Sequence, residues 1–462
     1  MMLVEQRADL VSTDDGVRRS FARDASGLEL IPERVARPAR ESDVVDVLRH
    51  AHADRASVTP AGGQTSTTGA SITDRGTLLS LRGLAEIGAV DHERLTVRVQ
   101  AGVILGDLKR RLAAEGLLFA PDPTSEDDVT IGGAIACNAS GARSLLYGAT
   151  RPHVAALRVA MPDGSVHELR RTRLEKNTVG YAPVHDPIDW FIGSEGTLGV
   201  VLEAELALLP LPPNVAGLAI PFAEEDRALD FIIAARSSTD VSPRCLEYFD
   251  SRALEVARTA EGAGEWARGA GALVYTEQVA AAGSEIPLER WLLLAEEYGA
   301  AENDISVYES PSALRDARRL RHAVPSTMIE RGARYRAAGG RRVSTDWAVP
   351  YRHLKDAIRE SRRFATEAGV DQPVVYGHAG NGHPHQNFIA RDSAELAQME
   401  QVVEQTLRYV VAVGGTVAAE HGTGKIKRRW LPLQLTPLQL GMMRAIKREL
   451  DPTGMLAPGN LF

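Results

Sequence analysis

Cysteine is scarce in this sequence, and its scarcity limits what can hold the fold together. There are 2 cysteines among 462 residues, Cys137 and Cys245, and they lie far apart in the chain. A disulfide framework is therefore not expected, and a reducing cytoplasm is the predicted location, with association at the face of the inner membrane left open.

Long apolar runs are also lacking. The best candidate, "LALLPLPPNVAGLAIPF" at 206–222, is interrupted by prolines, so no membrane-spanning helix is predicted. The first residues, "MMLVEQRADLVSTDD", have no long apolar core and do not resemble a signal peptide. Peripheral docking on a membrane stays open.

An excess of basic charge is missing as well. The formal net charge is -8, which disfavours nucleic acid as a partner, because phosphate backbones reward a basic face.

The length exceeds what one ordinary core supports, so at least two domains are expected.

The first half has the alternating pattern of a mixed α/β domain of about 210 residues. "SDVVDVLRHAHADR" predicts a helix capped by Ser42, and "ASVTP" and "LTVRVQ" predict strands. "VILGDLKRRLAAEG" predicts a helix ending at Gly116. "VAALRVAMPDGSVHEL" predicts a hairpin that turns at Asp163 and Gly164, and "GVVLEAELALLPLPP" predicts a strand that stops at prolines.

The second half is richer in helices. A boundary is predicted near Pro212, and helical spacing extends over 284–300, 311–331, 351–367 and 392–412. "VVYGH" and "QNFIA" are predicted strands between the last two helices. The final "LDPTGMLAPGNLF" is either a loose tail or a segment packed back on the first domain.

Three glycine-rich segments stand out in the first half. "TPAGGQTSTTGAS" (59–71) follows a predicted strand but lacks both GxGxxG and the Walker lysine. Such a loop is either a simple turn or a nest of N–H groups for pyrophosphate, in which glycine permits close approach. The other two are "PDPTSEDDVTIGGAIACNASGARSLLYGATRPHV" (121–154), a long polar loop with a small apolar stretch, and "GSEGTLGVV" (193–201).

In this order and spacing, the three segments resemble the flavin-binding domain of FAD-linked oxidases and dehydrogenases of the vanillyl-alcohol oxidase and p-cresol methylhydroxylase superfamily. The nearest branch is that of D-lactate dehydrogenase, the glycolate oxidase large subunit and D-2-hydroxyglutarate dehydrogenase. The resemblance implies an α+β fold, with a two-part FAD-binding domain at 1–212 and an α+β substrate (cap) domain at 213–412. A C-terminal segment at 413–462 would pack back on the FAD domain and complete a metal site.

The resemblance also implies the residues that bind FAD. They are Pro60, Gly62, Gly63, Gln64, Thr65, Ser66, Gly69, Ser71, Pro123, Thr130, Gly132, Gly133, Asn138, Gly141, Glu195, Gly196, Val200 and Asn460. Some members link FAD covalently through His or Cys near these loops. The pyrophosphate loop here has no histidine, and Cys137 is interpreted as a small buried apolar residue, so non-covalent FAD is predicted.

"GHAGNGHPHQN" (377–387) carries three histidines around a tight turn. If Asn381 and Gly382 form a two-residue turn, His378 faces His385 and the two imidazoles can converge on one metal ion. His383 shares their face, and Pro384 disfavours a regular ladder. A surface hairpin with solvated histidines is equally compatible with this stretch alone.

A possible third ligand lies in "GGTVAAEHGTGKIKRRW" (414–430), which contains Glu420 and His421. Two histidines and a carboxylate form a common divalent site with open positions. The resemblance implies His378, His385 and Glu420 as ligands of zinc, manganese or iron, with Asn387 beside metal and substrate. Members of the family often have Asp where Asn381 stands, and His383 is unusual.

The implied activity is metal-assisted oxidation of a 2-hydroxy acid, of D configuration by analogy, such as lactate, glycolate or 2-hydroxyglutarate. Hydride passes to flavin N5, His421 is the general base, and Arg321 clamps the substrate carboxylate. Some dicarboxylate-oxidising relatives have lysine where Ser344 stands. That difference disfavours a second substrate carboxylate, although Arg342 could substitute.

Alternatives remain at this point. They are an enzyme of the alkylglycerone-phosphate synthase kind, a metal hydrolase without flavin, and a non-catalytic flavin-binding subunit. The electron acceptor is expected to be a quinone, a cytochrome or an electron-transfer flavoprotein, because no nicotinamide fingerprint is present. A homodimer stays open.

Overall fold

The computed structural model describes residues 10–172, 174–259, 267 and 269–462, with the side chains of 319–322 left out of the description. The chain forms two compact units. The first comprises residues 1–140, 148–211 and 420–462, and the second comprises 141–147 and 212–419. Each unit therefore draws on segments that are distant in sequence.

Two main sheets form the first unit within the described residues. One has the order β1-β2-β4-β3, with parallel pairs around β4, and the other is antiparallel with the order β5-β6-β10-β8-β9. The strands are β1 Val11–Ser12, β2 Arg34–Ala36, β3 Val58–Ala61, β4 Thr77–Ser80, β5 Ile87–Asp91, β6 Thr96–Gln100, β7 Leu117–Leu118, β8 Val154–Ala160, β9 Val166–Arg170, β10 Val200–Ala207 and β11 Leu209–Pro210. The helices are Asp15–Ser20, Glu41–Ala53, Leu105–Ala114, Ile131–Cys137, Ile188–Phe191, Leu431–Gln434 and Pro437–Leu450.

The local predictions for this unit are largely confirmed. The hairpin of β8 and β9 turns where Asp163 and Gly164 lie, with Gly164 at φ 79° and the Asp163 carboxylate accepting from the Ser165 N–H at 2.8 Å. Glycine suits this left-handed position because it has no Cβ.

The predicted cap of the first long helix is wrong. The helix spans Glu41–Ala53, so Ser42 lies inside its first turn, and Arg40 is the N-cap. The carboxylate of Asp43 accepts from the Arg40 N–H at 3.2 Å. The first turn is thus satisfied by a residue within the helix rather than by a serine ahead of it.

A single antiparallel sheet of seven described strands forms the centre of the second unit, in the order β15-β12-β14-β13-β17-β18-β16. The strands are β12 Asn214–Phe222, β13 Cys245–Asp250, β14 Ala272–Ala280, β15 Ser306–Tyr308, β16 Gly339–Ser344, β17 Val374–His378 and β18 His383–Asp392. The helices are Ser144–Tyr147, Glu225–Ser237, Ser251–Arg258, Leu288–Glu297, Pro311–Ala333, Leu354–Glu367 and Ser393–Ala412. The four helices and two strands predicted here are confirmed, whereas strands β12 to β16 had not been predicted.

Register places polar side chains on one face of this sheet. Tyr376 pairs with His385, and His378 pairs with His383. Across the next pair, Phe249 faces Tyr376, so Glu247 shares the face of His378. The sheet thus collects one acid and three histidines from three strands on one surface.

The C-terminal chain is divided between the units at Glu420. Residues before it stay with the second unit because Ala348 and Thr416 exchange backbone hydrogen bonds, and because the Ala419 N–H donates to the Asp346 carbonyl at 2.7 Å. Beyond it, the Ala457 N–H donates to Val58 O at 2.8 Å, and Leu456 is buried. Of the two alternatives for the tail, packing against the first unit is the one observed.

A buried ion cluster in the second unit yields a test of acid stability. Glu277 is buried, with Arg143 Nε at 3.1 Å and Arg244 Nη1 at 3.3 Å from its carboxylate. Burial acts to raise the pKa of Glu277, but the charges of Arg143 and Arg244 outweigh it and lower the pKa from 4.5 to about 2.

We expect the free energy of unfolding to fall by roughly 3 kcal/mol through this group as the pH drops from 4.5 to about 2. The sign follows because the unfolded carboxyl takes up its proton at higher pH than the folded one. Denaturant titrations should show that the difference in unfolding free energy between wild type and Glu277→Gln becomes smaller over that pH range. Glu285→Gln serves as the control, because Glu285 is exposed. A difference in unfolding free energy between wild type and Glu277→Gln that does not change with pH would contradict the prediction.

Candidate active site

The first glycine loop is pressed against the second glycine segment. A Cβ on Gly62 would lie 2.1 Å from Thr130 Oγ1, and one on Gly63 would lie 2.0 Å from Asp128 O. Both distances are far below contact, so any side chain would force the segments apart. The pair of glycines is therefore required by packing.

This loop also has unused hydrogen-bond donors. Within the described residues, the N–H groups of Gly63, Gln64, Thr65 and Ser66 have no acceptor in the protein. Gln64 has φ 56°, a left-handed conformation that is strained for a residue other than glycine and typical of ligand-binding turns. Consecutive free N–H groups fit a pyrophosphate, so the loop suits this part of FAD.

The third glycine loop joins the second through backbone hydrogen bonds. The Gly193 N–H donates to Ile135 O at 3.0 Å, and the Glu195 N–H donates to Ala136 O at 2.8 Å. Glu195 has φ 52°. Its carboxylate accepts from the N–H groups of Thr423 and Gly424 at 2.6 and 2.7 Å, so this predicted FAD residue anchors the C-terminal segment.

Asn460 ties the first loop to the third. Its Nδ2 donates to Ala70 O at 2.9 Å and to Glu195 O at 3.2 Å. Its Oδ1 accepts from Lys425 Nζ at 2.7 Å, which also donates to Gly69 O at 3.1 Å. Burial lowers the pKa of Lys425 to about 8. Lys425 was missed from the sequence, although "GTGK" directly follows the Glu-His pair.

The other predicted FAD residues lie on the same three segments. Thr130 caps the Ile131–Cys137 helix by accepting from the Gly133 N–H at 3.2 Å, and Asn138 closes that helix at φ 49°. Burial raises the pKa of the Cys137 thiol to about 12, which makes it a poor nucleophile. The structure places Pro60, Gly69, Ser71, Pro123, Gly132, Gly196 and Val200 in the first unit, and Gly141 in the second.

The histidine hairpin of the second unit has a different register from the predicted one. His378 pairs with His383 rather than with His385. The turn is longer than two residues because Ala379–Asn381 form a 3₁₀ turn, closed by Gly382 at φ 67°. A shift of two residues preserves the face, so the three histidines still point the same way.

The three imidazoles form one buried group. Ring centroids are 5.4 Å apart for His378 and His383, 5.2 Å for His378 and His385, and 4.6 Å for His383 and His385. All three residues are at most 9% exposed. The alternative of a solvated surface hairpin is therefore wrong.

Two acids that the sequence analysis missed complete this group. Glu247 Oε1 lies 2.7 Å from His378 Nδ1, and Asp346 Oδ1 lies 3.0 Å from His383 Nε2. The sequence did contain a signal for Glu247, namely an acid inside the otherwise apolar stretch "CLEYF". An acid among buried residues is expected to have a partner. The Glu247 contact is the usual support for a histidine that binds metal through its other ring nitrogen, whereas Asp346 and His383 each offer a candidate ligand atom.

The donor set fits a divalent ion. One ligand atom each from Asp346, His383 and His385 lies within 4.8 Å of the others. Two nitrogen or oxygen ligands of one tetrahedral zinc ion lie about 3.4 Å apart, so side-chain shifts of roughly 1 Å would bring these atoms into a zinc site. This set shares His385 with the predicted ligands and adds His383 and Asp346. His378, held by Glu247, borders it.

Three predicted residues are not tested by this geometry. Glu420 directly follows Ala419, and both Glu420 and His421 belong to the first unit, where His421 O accepts from Thr68 Oγ1 at 3.5 Å. That they act with the histidines stays a prediction. Arg321 lies on the Pro311–Ala333 helix, but its side chain is outside the described residues.

Two family descriptions match the chain: "FAD binding domain" over residues 32–170 and "FAD linked oxidases, C-terminal domain" over residues 211–461. The chain belongs to the family of FAD-linked oxidases. FAD is accordingly its cofactor, in agreement with the resemblance and with the α+β, two-domain fold. No helix in the part of the chain that the structure describes is long and apolar enough to cross a membrane.

Named relatives cover nearly the whole of this FAD-linked oxidase. It is 29% identical to glycolate oxidase subunit GlcD of Bacillus subtilis (strain 168), over 94% of this chain and 89% of that protein. It is 30% identical to D-lactate dehydrogenase of Archaeoglobus fulgidus, over 92% and 90%. It is 32% identical to D-2-hydroxyglutarate dehydrogenase of Xanthomonas citri pv. viticola, over 93% and 89%.

A solved structure of alkyldihydroxyacetonephosphate synthase matches with a TM-score of 0.76 at 17% identity, over 99% of this chain and 84% of that one. At this identity the likeness concerns the fold alone.

Proposed function

We propose that this FAD-linked oxidase is a metal-assisted dehydrogenase that oxidises a 2-hydroxy acid, of D configuration, to the 2-oxo acid. The observation that supports this most is the buried cluster of three histidines with Asp346 and Glu247 on one sheet face. Relatives named for D-lactate, glycolate and D-2-hydroxyglutarate agree with it. The proposal includes electron transfer to a quinone, a cytochrome or an electron-transfer flavoprotein.

The residues have distinct roles in this proposal. FAD, when bound, supplies the hydride acceptor, and a divalent ion, when bound, supplies a Lewis acid for the substrate hydroxyl. Glu247 fixes the tautomer and orientation of His378 through Nδ1. Asn387 lies two residues beyond His385, and its Nδ2 donates to the Tyr376 hydroxyl at 3.2 Å. His421 would take the hydroxyl proton.

An anaerobic spectrum of the purified protein tests the proposal. D-lactate, its L isomer, glycolate and D-2-hydroxyglutarate are added in turn, before and after chelation. We expect flavin bands that at least one acid bleaches, with bleaching lost on chelation and restored by a divalent ion. Flavin bands that no acid bleaches would contradict the activity, and bleaching that survives chelation would contradict the metal.

The phosphate-bearing substrate expected of an alkylglycerone-phosphate synthase is the second candidate considered from the sequence. A fold likeness at 17% identity does not favour it over relatives at 29–32%. Bleaching by 2-hydroxy acids separates the two, because a non-redox synthase has no use for them.

A further inference from the structure

The last helix of the chain, Pro437–Leu450, is rich in leucine and methionine, yet none of its residues, all of which the structure describes, is buried. Leu438 is 68% exposed and Met442 is 56% exposed. These two residues lie four positions apart, so they are neighbours on one face of the helix. Ala445, which is also exposed, extends the stripe by a further three positions. The outer face of this helix is thus an exposed apolar stripe.

The opposite side of the helix is fixed to the first unit. Ile446 and Leu450 pack against the core of that unit. Lys447 Nζ donates to Thr197 O at 2.7 Å and to Leu456 O at 3.0 Å. The stripe therefore belongs to a firmly held helix and not to a frayed end. Because Thr197 is part of the third glycine loop, the helix also lies directly beside an FAD-binding segment.

Basic charge is concentrated around this helix, although the chain as a whole has a formal net charge of -8. Residues 425–450 contain seven lysines or arginines and a single acid. Arg444 and Arg448 lie on the exposed side of the helix, one turn apart, at the edge of the apolar stripe. Arg428 and Arg429 are exposed shortly before the helix begins. This local positive charge is complementary to an anionic surface.

Two other exposed apolar sites show the contrast. The loop at 174–184 exposes Val179 and Tyr181, but it contains one lysine and one glutamate, so its charge is balanced. Leu293 is 50% exposed on the Leu288–Glu297 helix, which has three exposed glutamates and one exposed arginine. Neither site combines its apolar surface with an excess of positive charge, as the last helix does.

We propose that the outer face of the Pro437–Leu450 helix docks on an anionic lipid surface. Leu438 and Met442 enter the boundary between headgroups and acyl chains, and Arg444 and Arg448 bind the headgroup phosphates. A helix of 14 residues is too short to span a bilayer, so it lies flat on the surface. Docking there brings the third glycine loop to within one helix diameter, about 10 Å, of the membrane. The proposal does not depend on which substrate the enzyme oxidises.

Vesicle binding by the FAD-loaded protein tests this surface. Vesicles of phosphatidylglycerol and phosphatidylcholine in equal parts are compared with vesicles of phosphatidylcholine alone, by co-sedimentation at low salt. Wild type should bind the anionic vesicles at least about 10-fold more tightly. Salt at about 1 M should remove most of this difference, because it screens exposed charges.

Two double variants separate the charged from the apolar contribution. Arg444→Gln with Arg448→Gln should weaken binding to the anionic vesicles about 30-fold, or about fivefold for each arginine. Leu438→Gln with Met442→Gln should weaken it at least about 10-fold, because two apolar side chains no longer leave water. Melting temperature and FAD content establish that each protein is folded.

Matched controls change the same residue types on other helices. Leu293→Gln replaces an exposed leucine, and Arg334→Gln with Arg408→Gln replaces two exposed arginines with the same change in net charge. Both controls should bind like wild type. The proposal is overturned if wild type does not bind, if it binds neutral vesicles equally, if either double variant binds undiminished, or if the controls lose as much. Without vesicle binding, a solution dimer that Leu438→Gln with Met442→Gln abolishes would assign the face to a second copy of the chain.

Discussion

Replacing His385 with alanine is expected to lower the rate of flavin reduction by 2-hydroxy acids about 10³-fold or more, with loss of the bound divalent ion. His385 belongs both to the ligands implied by the resemblance and to the group that Asp346 and His383 form. Removing one of three protein ligands from a small ion weakens its binding, and the Lewis-acid contribution is worth several kcal/mol.

Metal content and flavin content, measured together, separate this effect from misfolding. All the predicted FAD residues except Gly141 lie in the first unit, so the variant should keep its yellow colour at wild-type stoichiometry. His353→Ala is the matched control, because His353 is exposed on a short 3₁₀ turn of the same unit. It should retain both metal and activity. Full activity in a metal-depleted His385→Ala protein would show that no metal is involved.

The second large effect is expected at Glu195. Its buried carboxylate accepts hydrogen bonds from the N–H groups of Thr423 and Gly424. Glu195→Ala would leave both donors buried without an acceptor, which costs about 1–3 kcal/mol each, so we expect a loss of roughly 2–6 kcal/mol of unfolding free energy. Weaker FAD retention should accompany it, because the same loop packs against the pyrophosphate loop through Gly196 and Pro60.

Denaturant unfolding and flavin release on dilution measure these two consequences. Glu195→Gln keeps one acceptor oxygen and should lose less stability than the alanine variant. Glu168→Ala is the control, because its ion pair with Arg98 is half-exposed and such pairs contribute at most about 1 kcal/mol. Equal stabilities of Glu195→Ala and Glu168→Ala would mean that the C-terminal segment is held by other contacts.

Some features of the fold follow from local sequence because they depend on interactions between residues that are close in the chain. The turn at Gly164 requires a left-handed residue, and the strands at 374–378 and 383–392 follow from apolar and β-branched content. The helix at 393–412 follows from its periodicity in the same way. The three glycine segments were identified because they resemble a family, and packing explains why Gly62 and Gly63 are needed there.

Other features depend on residues that lie far apart in the chain. The predicted register of the histidine hairpin differs from the observed one by two residues, because the residues around Asn381 are compatible with both a 3₁₀ turn and a two-residue turn. In the observed turn the Val349 N–H donates to Gly382 O at 3.0 Å, and a Cβ on Gly382 would lie 1.9 Å from Val349 O, so the packed segment requires glycine there. That contact comes from a segment more than thirty residues away.

The sequence by itself led to the cofactor class through the resemblance of three glycine segments, taken together, to the flavin-binding domain of a known family, which the family descriptions match. The metal-assisted chemistry stays a prediction, because the histidine run alone fits a surface hairpin equally well. Only the tertiary structure decided which acids stand beside which histidines. Glu247 and Asp346 lie 131 and 37 residues from their partners, and their positions follow from strand order and register. The sheet also decided that Arg342 donates to Asn387 Oδ1, 45 residues further along the chain. Pairings of this kind depend on long-range packing, which no short window of sequence specifies.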